Sequence, residues 1–101
     1  MKKIGFIGCG NMGEAMLSGA LNSGFVKSND VIVHTKSKEN IQRLKEKYNI
    51  TIAKDNKDVA EKAKIIILAV KPNIYREVIE EIKDKTDKDS IIIAIAPSFS
   101  I

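Results

Sequence analysis

The stretch Lys3-Ile4-Gly5-Phe6-Ile7-Gly8-Cys9-Gly10-Asn11-Met12-Gly13 decides the fold. An apolar run ends in glycines at the first, third and sixth places, the pattern G-x-G-x-x-G. Each glycine has its own task when a strand turns directly into a helix: Gly8 permits the tight turn, Gly10 lets backbone approach a pyrophosphate, and Gly13 lets the helix pack closely on the strand. The anion then rests on free N–H groups at the helix N-terminus. The flanks agree with this assignment. Ile4, Phe6 and Ile7 read as a buried strand, and Ala15, Met16, Leu17, Ala20 and Leu21 as the apolar face of a helix ending near Gly24.

Downstream the pattern repeats. Ser23 to Asp30 is a polar connection, and Val31-Ile32-Val33-His34 is a β-branched second strand. Ser37 is placed as the N-cap of a helix over Lys38 to Tyr48, in which Ile41, Leu44 and Tyr48 recur at helical spacing. Ile50 to Ala53 reads as a third strand, and Asp55 or Asn56 caps a short helix through Ala63. Lys64 to Val70 is so continuously apolar that it predicts a central parallel strand covered on both faces. Pro72 is placed to open a further helix with Ile74, Val78, Ile79 and Ile82 on its apolar side. Thr86 to Asp89 is a turn, and Ser90 to Ala96 a buried fifth strand ended by Pro97.

Strands that alternate with helices in this way give an α/β class fold: a Rossmann-type doubly wound parallel sheet in three layers, α/β/α. About five strands in the order 3-2-1-4-5 follow from right-handed crossovers. The 101 residues make one domain, which is short for an enzyme that must hold both a dinucleotide and a second substrate. An apolar content of 44% with 30% charge is an ordinary globular balance. There is no membrane-length apolar run and no signal-peptide pattern, so a cytoplasmic location is expected. The single cysteine, Cys9, excludes an internal disulfide framework and a CxxC metal or redox motif. At the variable place of the glycine turn it reads as a small packing residue rather than a nucleophile. The net charge of +4 is spread along helix-like segments without aromatics, which points to solvated helix faces and not to nucleic acid.

In such a sheet, ligands gather beyond the carboxyl ends of the strands. That selects Cys9 to Met12, Thr35 to Ser37, Lys54 to Asn56, Ala69 to Asn73 and Ala96 to Ser98. An acidic residue at the second strand's end would mark NAD by binding the ribose 2′-hydroxyl. Asp30 stands about twenty residues after the glycines, as that signal does, but it precedes the strand and so lies at the wrong end. Thr35-Lys36-Ser37-Lys38 follows the strand instead. A cation and hydroxyls without a carboxylate suit a 2′-phosphate, so NADP is expected, with NADPH preferred over NADH. His34, the only histidine, lies far from hydride chemistry in this scheme and has no evident carboxylate partner. Lys71 follows the buried fourth strand at the ligand edge. Neither becomes an acid or base, no metal-ligand cluster can be assembled, and no catalytic residue is assigned in this chain.

Phe6 to Met16, Asp55-Asn56 and Ile67-Leu68-Ala69-Val70-Lys71-Pro72 together resemble the N-terminal domain of the pyrroline-5-carboxylate reductase family, along essentially the whole chain. The glycine segment is shared with hydroxyacid dehydrogenases; Ala69-Val70-Lys71-Pro72 is the sharper mark. The resemblance implies hydride transfer from NAD(P)H to the C=N carbon of 1-pyrroline-5-carboxylate, a small-molecule substrate, giving L-proline. It implies that backbone at Gly8, Gly10, Asn11, Met12 and Gly13 forms the pyrophosphate site. Thr35, Lys36 and Ser37 would meet the 2′-phosphate, Asn56 the adenosine ribose, and Ala69, Val70, Lys71, Pro72 and Ala96 the nicotinamide end. In the family a helical C-terminal domain follows, forms the dimer and supplies the substrate groups, so a homo-oligomer is expected of the complete protein and little turnover of residues 1–101 alone. Ala96-Pro97-Ser98 departs from the family's Ala-Ala-Gly, and Pro97 removes a donor N–H beside the nicotinamide. A non-catalytic NAD(P)-binding paralogue and a related hydroxyacid dehydrogenase are the alternatives.

Overall fold

A computed structural model describes residues 2–86 and 89–94, apart from the side chains of Asn11, Met12 and Pro72. Five parallel strands form one sheet in the order β3-β2-β1-β4-β5. They are β1 (Lys2–Ile7), β2 (Val31–His34), β3 (Thr51–Ile52), β4 (Ala63–Leu68) and β5 (Ile91–Ala94). Between them run α1 (Asn11–Asn22), α2 (Lys38–Tyr48), α3 (Asn56–Lys62) and α4 (Tyr75–Ile82), with 3₁₀ turns at Ser28–Asp30 and Pro72–Ile74. The expected strand order and α/β architecture are therefore present.

The pleat divides each central strand between two cores. Ile4 and Phe6 of β1, Val31 and Val33 of β2 and Ile67 of β4 pack with Leu17 and Leu44 in the α1–α2 layer. Ile7, Ile32, Ile66 and Leu68 face the other way, onto Val59, Ala60, Val78 and Ile82 in the α3–α4 layer. This period of two follows from alternate Cβ directions along a strand, and it explains why β1 and β4 read as unbroken apolar runs. Register places Gly5 between Ile32 and Ile66. Its missing side chain lets α3 sit against the sheet: a β-carbon there would lie 2.6 Å from Val59 Cγ1 and 2.7 Å from Ala63 Cβ.

The helix boundaries have local causes. Ser37 Oγ accepts the Asn40 N–H (3.2 Å) and starts α2, and Asp55 Oδ1 accepts the Asp58 N–H (2.7 Å) and starts α3. Of the two expected caps for α3, Asp55 is the one used. α2 stops at Asn49, which adopts a left-handed conformation (φ 56°) that asparagine tolerates.

Several boundaries and faces differ from expectation. β3 is only Thr51–Ile52, β4 runs Ala63–Leu68, and α3 closes at Lys62. Pro72 opens a 3₁₀ turn before α4 rather than α4 itself. Ala15 and Met16 are exposed, as is Ile79, because the buried stripe of each helix is narrower than its run of apolar residues. β5 is the largest correction: Ile91 is 54% and Ile93 41% exposed, since among the described residues this is an edge strand that pairs only with β4. Residues 95–101, which carry the expected end of that strand, Ala96 and the Pro97-Ser98 departure, lie outside the described residues.

Candidate functional site

The site is built where β1 turns into α1. Gly8 has φ +73°, and its N–H donates to the His34 carbonyl (2.7 Å), which ties the turn to the end of β2. Gly10 is extended and stands as N-cap of α1 with no side chain to cap the helix. A β-carbon at Gly10 would meet nothing within 4 Å. No side chain caps the first turn of α1 and the space beside Gly10 is open, both of which an anion at a helix N-terminus requires. Gly13 lies one turn deeper, where a β-carbon would stand 3.0 Å from Ala69 Cβ. It packs α1 against the end of β4, the task expected of the third glycine.

Cys9, between the first two glycines, is buried in the α1–α2 core. Burial, and then the Glu14 carboxylate, push its thiol up to about 11, with Arg43 opposing. At pH 8 the native protein is expected to leave Cys9 unreacted with a thiol-specific disulfide reagent, and one thiol to appear on unfolding. Rapid native labelling would contradict the packing role.

Beyond β2 come half-buried Thr35, exposed Lys36 and the cap Ser37. On α2, Asn40 Nδ2 donates to the Cys9 carbonyl (3.0 Å), and Arg43 Nη2 donates to Asn40 Oδ1 (2.5 Å). Arg43 also pairs with Glu14 Oε1 on α1 (2.8 Å), while Tyr48 and Lys47 donate to Glu14 Oε2. The Arg43 hydrogen bond, followed by that of Tyr48, brings the Glu14 carboxyl down to about 2. Beyond β4, the Ala69 N–H continues the ladder to the Ile7 carbonyl (2.8 Å), and Val70 and Lys71 lead into the 3₁₀ turn.

These strand ends enclose one cavity of about 460 Å³, within the usual range of roughly 300–1,000 Å³ for ligand sites. Of the residues expected from sequence, Gly8, Gly10, Thr35, Lys36, Asn56, Ala69, Val70 and Lys71 line it. Ser37 instead lines an adjoining depression with Glu39, Asn40 and Arg43. Gly13 contributes by packing. Asn11, Met12 and Pro72 are placed by their backbone, at the start of α1 and of the 3₁₀ turn. Asp30 sits at the amino end of β2, where its carboxylate accepts the Lys27 N–H (3.1 Å), away from the cavity as its position in the chain implied.

Other lining residues were not anticipated. Ile74, at the end of the 3₁₀ turn, and Glu77, Val78 and Glu81 of α4 form one face toward the cavity. Their spacing of three, four and seven is the helical signal that could have found them. Asn56 Nδ2 donates to Glu81 Oε1 (3.0 Å), and Asn56 Oδ1 faces His34 Nδ1 at 2.8 Å. Because a carboxylate only accepts, Nδ2 must face Glu81, which leaves Oδ1 to accept from a protonated Nδ1 of His34. The partner of His34 is thus an amide. Asn40 and Arg43 carried no local signal that points to the turn, since Cys9 and Glu14, which they hold, lie on other elements. Among the described residues, no group of three or more His, Cys, Asp or Glu could hold a metal ion, and no helix is long and apolar enough to cross a membrane.

A parallel sheet of this order, with a glycine turn opening on a cavity past its carboxyl ends, defines the class of Rossmann-type dinucleotide folds. The chain belongs to the family described as NADP oxidoreductase, coenzyme F420-dependent, whose sequence model matches residues 3–98. It is 42% identical over 100 residues to the pyrroline-5-carboxylate reductase of Escherichia coli K12, an alignment that covers 99% of this chain and 37% of that protein. The pyrroline-5-carboxylate reductase structure from Coxiella burnetii superposes with a TM-score of 0.85 at 33% identity, over 94% of this chain and 35% of that one. The pyrroline carboxylate reductase of Plasmodium falciparum, with NADP bound, gives 0.79 at 29% identity, over 94% and 33%. This chain therefore spans only about a third of the length of these relatives.

Proposed function

We propose that this chain is the cofactor-binding domain of a pyrroline-5-carboxylate reductase, and that it prefers NADPH to NADH. The observation that carries the reading is the convergence of the glycine turn, the Lys36 loop and the Ala69–Lys71 strand end on one cavity. Family membership and the reductase relatives support the activity, which belongs to a complete protein roughly three times this length. When bound, the reduced dinucleotide would supply the hydride for the C=N carbon of 1-pyrroline-5-carboxylate. A cytoplasmic, homo-oligomeric protein goes with this reading on family resemblance.

The residues fit the cofactor by an independent test: of the two glycines on the cavity wall, Gly10 is the one where a β-carbon would enter empty space, and it lies at the uncapped start of α1. Backbone at Gly8 to Gly13 would hold the pyrophosphate. Lys36, with the Thr35 and Ser37 hydroxyls, would hold the 2′-phosphate. Asn56 has one lone pair and one N–H left after His34 and Glu81, enough for a ribose hydroxyl. Ala69 to Pro72, with Ala96, would meet the nicotinamide end, where Val70, Ile74 and Val78 would offer it apolar surface.

Titration calorimetry of this chain with NADPH and NADH tests the reading. NADPH is expected to bind more tightly. Lys36→Ala should lower NADPH affinity by about tenfold or more, the scale of one charge-assisted hydrogen bond, and leave NADH unchanged. Equal affinities that ignore the mutation would remove the NADPH preference, and binding of neither nucleotide would remove the cofactor role.

A further inference from the structure

We propose that Asn40 is a positioning residue for the dinucleotide: it clamps the glycine turn to α2, so that one side chain aligns the pyrophosphate and 2′-phosphate ends of the cavity. The inference rests on the cofactor-binding reading above. Three contacts converge on this residue. Its Nδ2 donates to the Cys9 carbonyl at 3.0 Å, its Oδ1 accepts from Arg43 at 2.5 Å, and its backbone N–H goes to Ser37 Oγ at 3.2 Å. The amide has only one orientation that satisfies both side-chain partners, because a carbonyl only accepts and a guanidinium only donates. Arg43 is held in turn by Glu14 on α1. The turn, α1 and α2 are thus closed into a ring of hydrogen bonds.

The contact to Cys9 is the informative one. The Cys9 carbonyl and the Gly10 N–H belong to the same peptide group, which is trans and planar, so the two point in opposite directions. Gripping the carbonyl from α2 fixes where the Gly10 N–H points. Gly10 lines the cavity, and its backbone lacks any side chain of its own to hold it. Ser37 and Asn40 lie in the same first turn of α2, so the loop that carries Lys36 and the turn that carries Gly10 share one anchor. Without it, each would have to be ordered at the moment of binding, at a cost in affinity.

The test uses Asn40→Ala and Asn40→Asp, read by calorimetry and by amide hydrogen exchange. Asn40→Ala is expected to weaken NADH by about tenfold and NADPH by at least as much, since both carry the pyrophosphate and NADPH alone also uses the Lys36 loop. In the free protein it should speed exchange at Gly10 and the first-turn amides of α1, while amides of β1, β2 and β4 keep their protection. Asn40→Asp keeps a partner for Arg43 and suits the first turn of a helix, yet a carboxylate cannot donate to the Cys9 carbonyl. It should loosen the same amides. Wild-type exchange at Gly10 in both variants overturns the proposal. So does loss of NADPH affinity alone, which would mark a direct 2′-phosphate contact, or loss of protection throughout α2, which would mark a merely structural role. If the wild-type chain binds neither dinucleotide, the cofactor reading falls by itself, and exchange at Gly10 still decides the clamp.

Discussion

Gly8→Ala is expected to destabilise the fold by about 2–5 kcal/mol and to abolish dinucleotide binding. Two independent costs add. The left-handed conformation at φ +73° costs a residue with a β-carbon roughly 1–2 kcal/mol. The new methyl would also lie 2.6 Å from Val70 Cγ1 and 2.8 Å from the Ala69 carbonyl oxygen, and overpacking of this kind costs about 1–3 kcal/mol. Val70 could change rotamer, but the Ala69 oxygen is backbone, and its residue is pinned by the N–H bond to Ile7. Relief must therefore come from the turn, whose own N–H is bonded to His34. Either movement displaces Gly10 or the β4 end from the cavity. Urea unfolding and calorimetry measure the two effects. A variant with wild-type stability and affinity would show that the turn does not depend on glycine at this place.

Gly5→Ala is expected to cost about 1–3 kcal/mol for a different reason. Here no unusual dihedral is involved; the obstacle is α3. The added methyl would meet Val59 Cγ1 at 2.6 Å, Ala63 Cβ at 2.7 Å and Ile32 Cγ2 at 3.2 Å, so that side chains of α3, β4 and β2 close on one point. Asn56 begins α3, and a helix pushed off the sheet carries Asn56 away from the cavity. Nucleotide affinity should fall together with stability. Val59→Ala in the same chain removes the nearest obstructing methyl and is expected to restore part of the loss in a double-mutant cycle, leaving the Ala63 contact unrelieved. Strict additivity of the two substitutions would show that Val59 is not what Gly5 accommodates.

Gly5 also shows where reading the sequence stops. The glycines of G-x-G-x-x-G announce themselves by spacing, and Gly8 makes the turn and Gly13 the close packing that this spacing implies. Gly5 belongs to no motif; its role comes from the partner that lies across from it, and α3 is more than fifty residues away in the chain. The sheet order and the elements were legible because buried parallel strands need long apolar runs and helices need a 3.6-residue period. Degree of burial was less so. Met16, Ile79 and Ile91 have the chemistry of a core, but whether a neighbour covers them is a tertiary fact. Most of the expected cavity wall followed from one topological rule, that ligands sit past the carboxyl ends. Asn40, Arg43 and Glu14 escaped because a clamp between α2 and a turn thirty residues earlier leaves no local periodicity. Glu77 and Glu81 were within reach, had the face of α4 been followed to its polar members.

The two cores lie on opposite faces of the sheet, yet the cavity takes its walls from both: Asn40 from the α1–α2 layer, and Asn56, Val78 and Glu81 from the α3–α4 layer. A molecule seated there would rivet the two layers together past the carboxyl ends of the strands. Occupancy would then register in the melting behaviour of the whole domain. This makes the fold its own gauge of what it binds, readable without any turnover.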